Sequence, residues 1–393
     1  MATAQDTREA YIKVCMEKGV DINNEVMFLI NRMEELNEHG EPSPHIMRLH
    51  GNKRNDQNEM YRRRIDDNEL EIFSMLFTGN TYLVGIDLGY NLITDEGAKL
   101  IGKLLEETPS LETLILSYND IGVSGATVIA KGIQMNETLT CLKMDGNKFG
   151  RVGGLAIAGA LQVNTTLEEL DITNTEQDTQ SLIALATVLK SNCHLKKLVI
   201  GRPLLHSKQE DTTIHFARLL EVNRSIKEIH LRNHGMVNFG VEQIVNHVMD
   251  NMTLLHLDVS CNQLSRDGME SLAKYLKSNP PLRILNVGYN RAEDDGAIVL
   301  SNALSRGNIN LETLVIRNNS LTGKGLCALA KSLTLNTTLT QLYVWGNELD
   351  TPACQAFRGL LTGVIPRLAP NDTDIKSYVV DGVPRLAQVA CPY

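Results

Sequence analysis

The sequence is poor in aromatic residues, which fill 5% of its 393 positions and include a single tryptophan. A core of stacked aromatic rings is excluded, so aliphatic side chains must supply the burial. Nowhere do eighteen apolar residues follow one another, and no segment reads as a membrane-spanning helix. The opening MATAQDTREAYIKVC has no apolar run behind a basic start, so a secreted protein is not expected either. The seven cysteines are odd in number, widely scattered and without CxxC spacing. They fit reduced thiols better than a disulfide framework, and an intracellular protein is expected. Basic residues number 38 against 47 acidic ones, a net charge of −9 that leaves no broad electrostatic footprint for nucleic acid. Walker, HExxH and GxSxG motifs are missing as well, so the expectation is no enzyme, no catalytic residue and no cofactor.

What the chain does have is a repeat. Units open at Leu83, Leu111, Leu139, Leu167, Leu195, Ile226, Leu254, Leu282, Leu311 and Leu339, with spacings of 28 residues broken only by one of 31 and one of 29. A fixed period of this length marks one structural unit stacked on copies of itself. Within a unit, the first eleven residues alternate as a short strand and turn, and the next fifteen carry a helical pattern such as EGAKLIGKLLEE. Right-handed crossovers would return each strand beside the previous one, which predicts an α/β solenoid, a horseshoe with a parallel concave sheet and convex helices. Asparagine recurs eight residues into the unit at Asn91, Asn119, Asn147, Asn262, Asn290, Asn319 and Asn347, where its amide can satisfy buried turn backbone. Thr175, Pro203 and His234 interrupt this ladder in the middle units, and three extra residues in PLLHSKQEDTT mark a candidate contact loop. Glycines fourteen residues into the unit, from Gly97 to Gly325, predict close packing of each helix start against the strand layer. The sequons at Asn136, Asn164, Asn223, Asn251 and Asn336 share one register position with non-sequon asparagines, which predicts a structural rather than a glycan-bearing role.

Four segments follow. Residues 1–43 read as two helices, with apolar stripes at Tyr11, Val14 and Cys15 and at Val26, Leu29, Ile30, Met33 and Leu36, forming a cap or a docking element. Residues 44–82 hold a degenerate first repeat, MRLHGN from Met47, and an insertion whose Arg62, Arg63 and Arg64 could meet an acidic partner. Residues 83–362 are the ten-repeat solenoid, and residues 363–393 form a C-terminal cap in which SYVVDGVPRLAQV predicts a hairpin turning at Asp381 and Gly382.

Residues between the core leucines should face outward on the sheet. Tyr90 and Tyr118 share one column on adjacent strands, and Tyr289 is a further candidate for protein binding; Arg317 and Trp345 share another column with Tyr343 beside them. Trp345 is either an exposed hot spot able to stack with Arg317 or a shield for the last repeat against the tail. Lys196, Lys197, Arg202, Lys227, Arg232 and Arg283 gather at the centre, one strand beyond Glu168, Glu169 and Asp171, and could steer an acidic partner. His230 and His256 would project from neighbouring strands, near enough to share a metal, but no third ligand stands at a fitting spacing and no metal is expected.

The LxxLxLxxNxL units and their fifteen-residue helical segments resemble the ribonuclease-inhibitor-like class of leucine-rich repeat proteins. The resemblance implies a horseshoe whose concave face binds protein partners, and no catalytic residue comes with it. At the ends, DTDIKSYVVDGVPRLAQV and PHIMRLHGN are similar to a vertebrate leucine-rich repeat family, which implies a cytoplasmic and nuclear, including nucleolar, protein connected with differentiation of stem or germ cells. Two alternatives stay open. One is GTPase regulation, as in a member of the repeat class that activates a nuclear-transport GTPase, with Arg151 or Arg291 as fingers. The other is ribonuclease inhibition, from which the low cysteine count departs.

Overall fold

The computed structural model describes residues 4–24, 26–28, 30–31, 45–52, 64–77, 83–205, 210–305, 307–362 and 366–390. The chain forms two compact units, Met1–Leu195 and Lys196–Tyr393.

In the first unit, helix α1 (Ala4–Lys18) precedes strand β1 (His45–Arg48) and helix α2 (Asp67–Phe77). Four strand–helix pairs follow: β2 (Leu83–Asp87) and α3 (Asp95–Glu107), β3 (Thr113–Ile115) and α4 (Val123–Met135), β4 (Cys141–Lys143) and α5 (Gly150–Leu161), β5 (Glu169–Asp171) and α6 (Thr179–Leu189). β1 to β5 pair in chain order, all parallel, so that Thr113 meets Cys141 and Cys141 meets Glu169. The second unit repeats the pattern with β6 (Lys197–Val199), α7 (Asp211–Val222), β7 (Glu228–His230), α8 (Asn238–Val248), β8 (His256–Asp258), α9 (Arg266–Lys277), β9 (Ile284–Asn286), α10 (Glu293–Ser305), β10 (Thr313–Val315), α11 (Gly323–Leu335), β11 (Gln341–Tyr343) and α12 (Thr351–Thr362). It ends in an antiparallel hairpin, β12 (Ile375–Val380) and β13 (Val383–Gln388), that turns through Asp381 and Gly382, both at positive φ. Each unit is thus an α/β leucine-rich repeat stack, a layer of parallel strands backed by a layer of helices.

The repeat's leucines explain the layers. Leu111, Leu114 and Leu116, like Leu254, Leu257 and Val259, are fully buried between strand and helix. Each contributes about 1.5–3 kcal/mol on leaving water, and the neighbouring repeat supplies the other half of its contacts.

Asparagines tie one repeat to the next. Asn119 donates from Nδ2 to Leu88 O of the preceding repeat at 2.9 Å and to its own Leu116 O at 3.0 Å, while its Oδ1 accepts from Ile93 N at 3.1 Å. At the sequon position, Asn136, Asn164, Asn251 and Asn336 are buried and donate from Nδ2 to a carbonyl of the preceding helix, for example Asn251 to Leu220 O at 2.7 Å. The atom that would carry a glycan is engaged in the core.

Glycine packing differs in detail from the expectation. A Cβ on Gly125 would lie 2.6 Å from Asp95 Oδ1 and 2.7 Å from the Ala98 Cβ, so the tight neighbour is the preceding helix start. Asp95 accepts from Gly122 N at 2.7 Å and Gly125 N at 2.8 Å, capping the next repeat's helix with its own first turn. Asp294 does the same for Thr322 N and Gly325 N.

The ladder breaks where expected. Thr175 donates to Ile172 O at 2.7 Å and accepts from Gln177 Nε2 at 3.1 Å, and His234 reaches Ile200 O with Nε2, spanning the gap that Pro203 leaves. Among the described residues, His234 Nδ1 is buried without a hydrogen-bond partner. Burial holds the imidazole down at about 4, with the Ile200 carbonyl opposing. The unfolded chain takes up a proton near pH 6.5 that the folded chain refuses until about pH 4, so stability present above 6.5 is lost as pH falls through that window. The loss is roughly 3 kcal/mol at full extent. His234→Asn, carrying the residue of the other repeats, is expected to flatten this acid slope in urea unfolding; an unchanged slope refutes the assignment.

Near the N-terminus, Tyr11, Cys15, Val26 and Ile30 are buried, Asn23 N donates to Tyr11 Oη at 3.0 Å, and Lys18 pairs with Glu71 of α2. Leu29, Met33 and Leu36, together with Arg62 and Arg63, lie outside the described residues. Arg64 is committed to the fold: its Nη2 donates to Asn91 O at 2.6 Å and its Nε to Tyr90 O at 3.2 Å.

Candidate functional site

In the first unit the strand layer presents an aromatic column. The Tyr90 and Tyr118 rings stack with centroids 4.6 Å apart at 17°, and His50 leans on Tyr90 at 4.8 Å. Tyr118 lies over Gly146, where an added Cβ would come within 2.7 Å of the ring. Both tyrosines stay well exposed, 39% and 44%, although each has a partner ring to hide against.

Their backbone is the informative part. Tyr90 and Tyr118 stand at φ 60° and 53°, in the left-handed region, and Tyr289 of the second unit at 58°. The same turn position holds Gly146, Asn174, Asn233, Asn318 and Gly346, residue types that enter this region readily, and also Arg202 at 53° and Cys261 at 55°, which like tyrosine do not. A tyrosine there costs about 1 kcal/mol more, and Tyr289 is 51% exposed, so burial does not offset the cost.

Around this column the first unit is acidic. Asp87 lies 3.5 Å from His50 Nδ1, Ser117 donates to Asp145, and Lys143 pairs with Glu169 at 3.2 Å. Burial raises the Asp171 carboxyl, with the Asp145 charge adding to it.

The second unit's basic residues are only partly a patch. Lys196, Arg202, Lys227 and Arg232 are exposed, and Lys227 N donates to Lys196 O at 2.8 Å, which sets those two side by side along the strand edge. Lys197 is matched by Glu228 at 3.6 Å and Arg283 by Glu312 at 3.2 Å. Arg232 Nε donates to Cys261 Sγ at 3.2 Å. The centre of the face is therefore of mixed charge.

Between the lysines sits a cluster that spacing alone did not complete. Glu228 and His230 on β7 face His256 and Asp258 on β8, in register Glu228 to His256 and His230 to Asp258. His230 Nδ1 lies 3.4 Å from Asp258 Oδ2, and Glu228 Oε2 lies 3.8 Å from both His230 Nε2 and His256 Nδ1. Burial opposes charge on His230, but Asp258 and Glu228 outweigh it and lift the imidazole to about 8. His230 in turn holds Glu228 down at about 2, while burial, aided by the His230 charge, lowers His256 to about 4. Glu228 stands two residues before His230, the period that puts strand side chains on one face.

The C-terminal corner is a correction. Tyr343 is fully buried, Trp345 is half-buried, and Arg317 is paired with Asp374 at 2.8 Å. The segment before β12 runs along β11 as an extra edge: Leu342 N donates to Asp372 O at 3.0 Å, and the Asp374 carboxylate accepts from Val344 N and Trp345 N at 2.9 Å each. The buried Tyr343 is thus not outward-facing, and of the two readings of Trp345 the corner favours the shield of the last repeat, a cap on the strand edge. Arg151, considered as a finger, is held by Asp178.

Stacked strand–turn–helix units with an asparagine ladder and a polar, tyrosine-bearing strand face define a leucine-rich repeat protein. The leucine rich repeat family model matches residues 79–102, 108–130, 136–158, 250–273, 278–301 and 307–330. The stretch between residues 158 and 250, where the ladder is broken, falls between those matches. Human leucine-rich repeat-containing protein 34 is 43% identical over 380 residues, 97% of this chain and 81% of that protein. The rat and mouse proteins of the same name are each 37% identical over 196 residues, 50% of this chain and 47% of theirs, so the match spans about half the length of these rodent relatives. The chain belongs to the leucine-rich repeat-containing protein 34 family.

Proposed function

We propose that the chain is a non-enzymatic scaffold that binds protein partners through its strand faces, with Tyr90 and Tyr118 as aromatic contacts on the first unit, and Tyr289 with the charged Lys196, Arg202, Lys227 and Arg232 as contacts on the second. The observation that supports this reading is the placing of exposed tyrosines at left-handed turn positions where glycine or asparagine would relieve the backbone. Large, rigid aromatic rings on an exposed face are the side chains that contribute most to protein recognition. The similarity of the two chain ends extends the proposal to cytoplasm and nucleus, including nucleolus, and to differentiation of stem or germ cells.

Proximity labelling with the full chain in such cells, followed by binding measurements on the recovered partners, tests it. Tyr90→Asn/Tyr118→Asn exchanges stacking for a better backbone, so stability should stay within about 1 kcal/mol. Affinity for a strand-face partner should fall at least tenfold, as for a truncation of about 2 kcal/mol. Undiminished binding by the double variant would contradict the proposed face, and labelling confined to other compartments would contradict the proposed location.

A further inference from the structure

We propose that Glu228, His230 and His256 form a binding site for a zinc-type divalent metal ion on the strand face of the second unit. Each residue offers one ligand atom, and the three atoms lie within 4.8 Å of one another. Tetrahedral zinc with bonds near 2.0–2.1 Å needs ligand atoms roughly 3.3 Å apart. Glu228 Oε2 stands 3.8 Å from a nitrogen of each histidine, so small side-chain rotations close the site.

The surroundings are those of a built site. Asp258 faces His230 Nδ1 and leaves Nε2 directed at Glu228, the carboxylate–histidine arrangement that orients a metal ligand. Asp258 is itself fixed, accepting from Ser260 N at 2.8 Å and from Asn286 Nδ2 at 3.2 Å. Among the described residues, His230 Nε2, the nitrogen that faces Glu228, is buried without a hydrogen-bond partner, a deficit that buried polar atoms rarely carry. Two imidazoles and one carboxylate suit zinc or its first-row neighbours, whereas calcium and magnesium take oxygen ligands. Lys197, 3.6 Å from Glu228, competes for the carboxylate, and a proton shared by Glu228, His230 and Asp258 is the rival occupant. Three protein ligands leave a fourth position for water, because Glu228 is part-exposed.

The test uses the full chain stripped with chelator and titrated with zinc against a chromophoric chelator, with cobalt absorption as a reporter of tetrahedral geometry. One equivalent of zinc is expected, accompanied by a rise in melting temperature. Asp258→Asn should weaken binding roughly tenfold or more. His230→Gln and His256→Gln should weaken it further, with melting temperatures in chelator close to wild type. Failure of the wild-type chain to take up zinc overturns the proposal whatever the variants do. Equal uptake by wild type and a folded His230→Gln/His256→Gln chain also overturns it, by placing the ion elsewhere.

Discussion

Asn262→Ala is expected to destabilise the second unit by about 3 kcal/mol in urea unfolding. Asn262 donates from Nδ2 to Leu231 O at 3.0 Å, Val259 O at 2.9 Å and Ser260 O at 3.1 Å. Its Oδ1 accepts from His234 N at 3.0 Å and Met236 N at 3.1 Å, so one amide serves two repeats. Alanine removes the amide without letting water in, and the two N–H groups are left buried and unpaired at about 1–3 kcal/mol each. Asn262→Thr should recover part of the loss, because Thr175 in the equivalent place still donates to the carbonyl three residues back. A cost below about 1 kcal/mol for alanine would mean that the ladder is not a principal tie between repeats.

Asp374→Ala should cost about 4 kcal/mol and open the C-terminal cap. The Asp374 side chain is fully buried, accepts from the backbone of Val344 and Trp345, and pairs with an Arg317 side chain that is 11% exposed. Removing it leaves a largely buried guanidinium without this carboxylate and two edge N–H groups without an acceptor. Because Trp345 is the sole tryptophan, its emission reports the cap directly and should shift to the red in the variant. Asp374→Asn keeps the shape and some of the acceptor capacity, and should fall between the two. Unchanged emission with a large loss of stability would place the effect away from this corner.

The layers, the ladder, its break at Thr175, Pro203 and His234, and the hairpin turn at Asp381 and Gly382 were all legible, because each depends on a residue type at a fixed offset within one unit. The tyrosine column was legible for the same reason. Three features were not, since they depend on what lies across a repeat or beyond the array. Asp95 caps a helix 28 residues on, a role that the glycines only hinted at. Tyr343 follows the outward-facing pattern yet is fully buried, on the strand that a segment no period announces bridges at Leu342. Glu228 completes the histidine cluster through side-chain reach across the β7–β8 pair, which a search for metal-ligand spacing along one segment does not find.

The most direct measurement compares partner affinity for Tyr90→Asn/Tyr118→Asn with that for Val152→Asn, an exposed change on the helix layer at α5. Both proteins should melt as wild type does. At least a tenfold loss confined to the tyrosine variant is the predicted result. Full binding by the tyrosine variant, with loss on the helix-layer change, would show that partners dock on the opposite layer and would contradict the proposal.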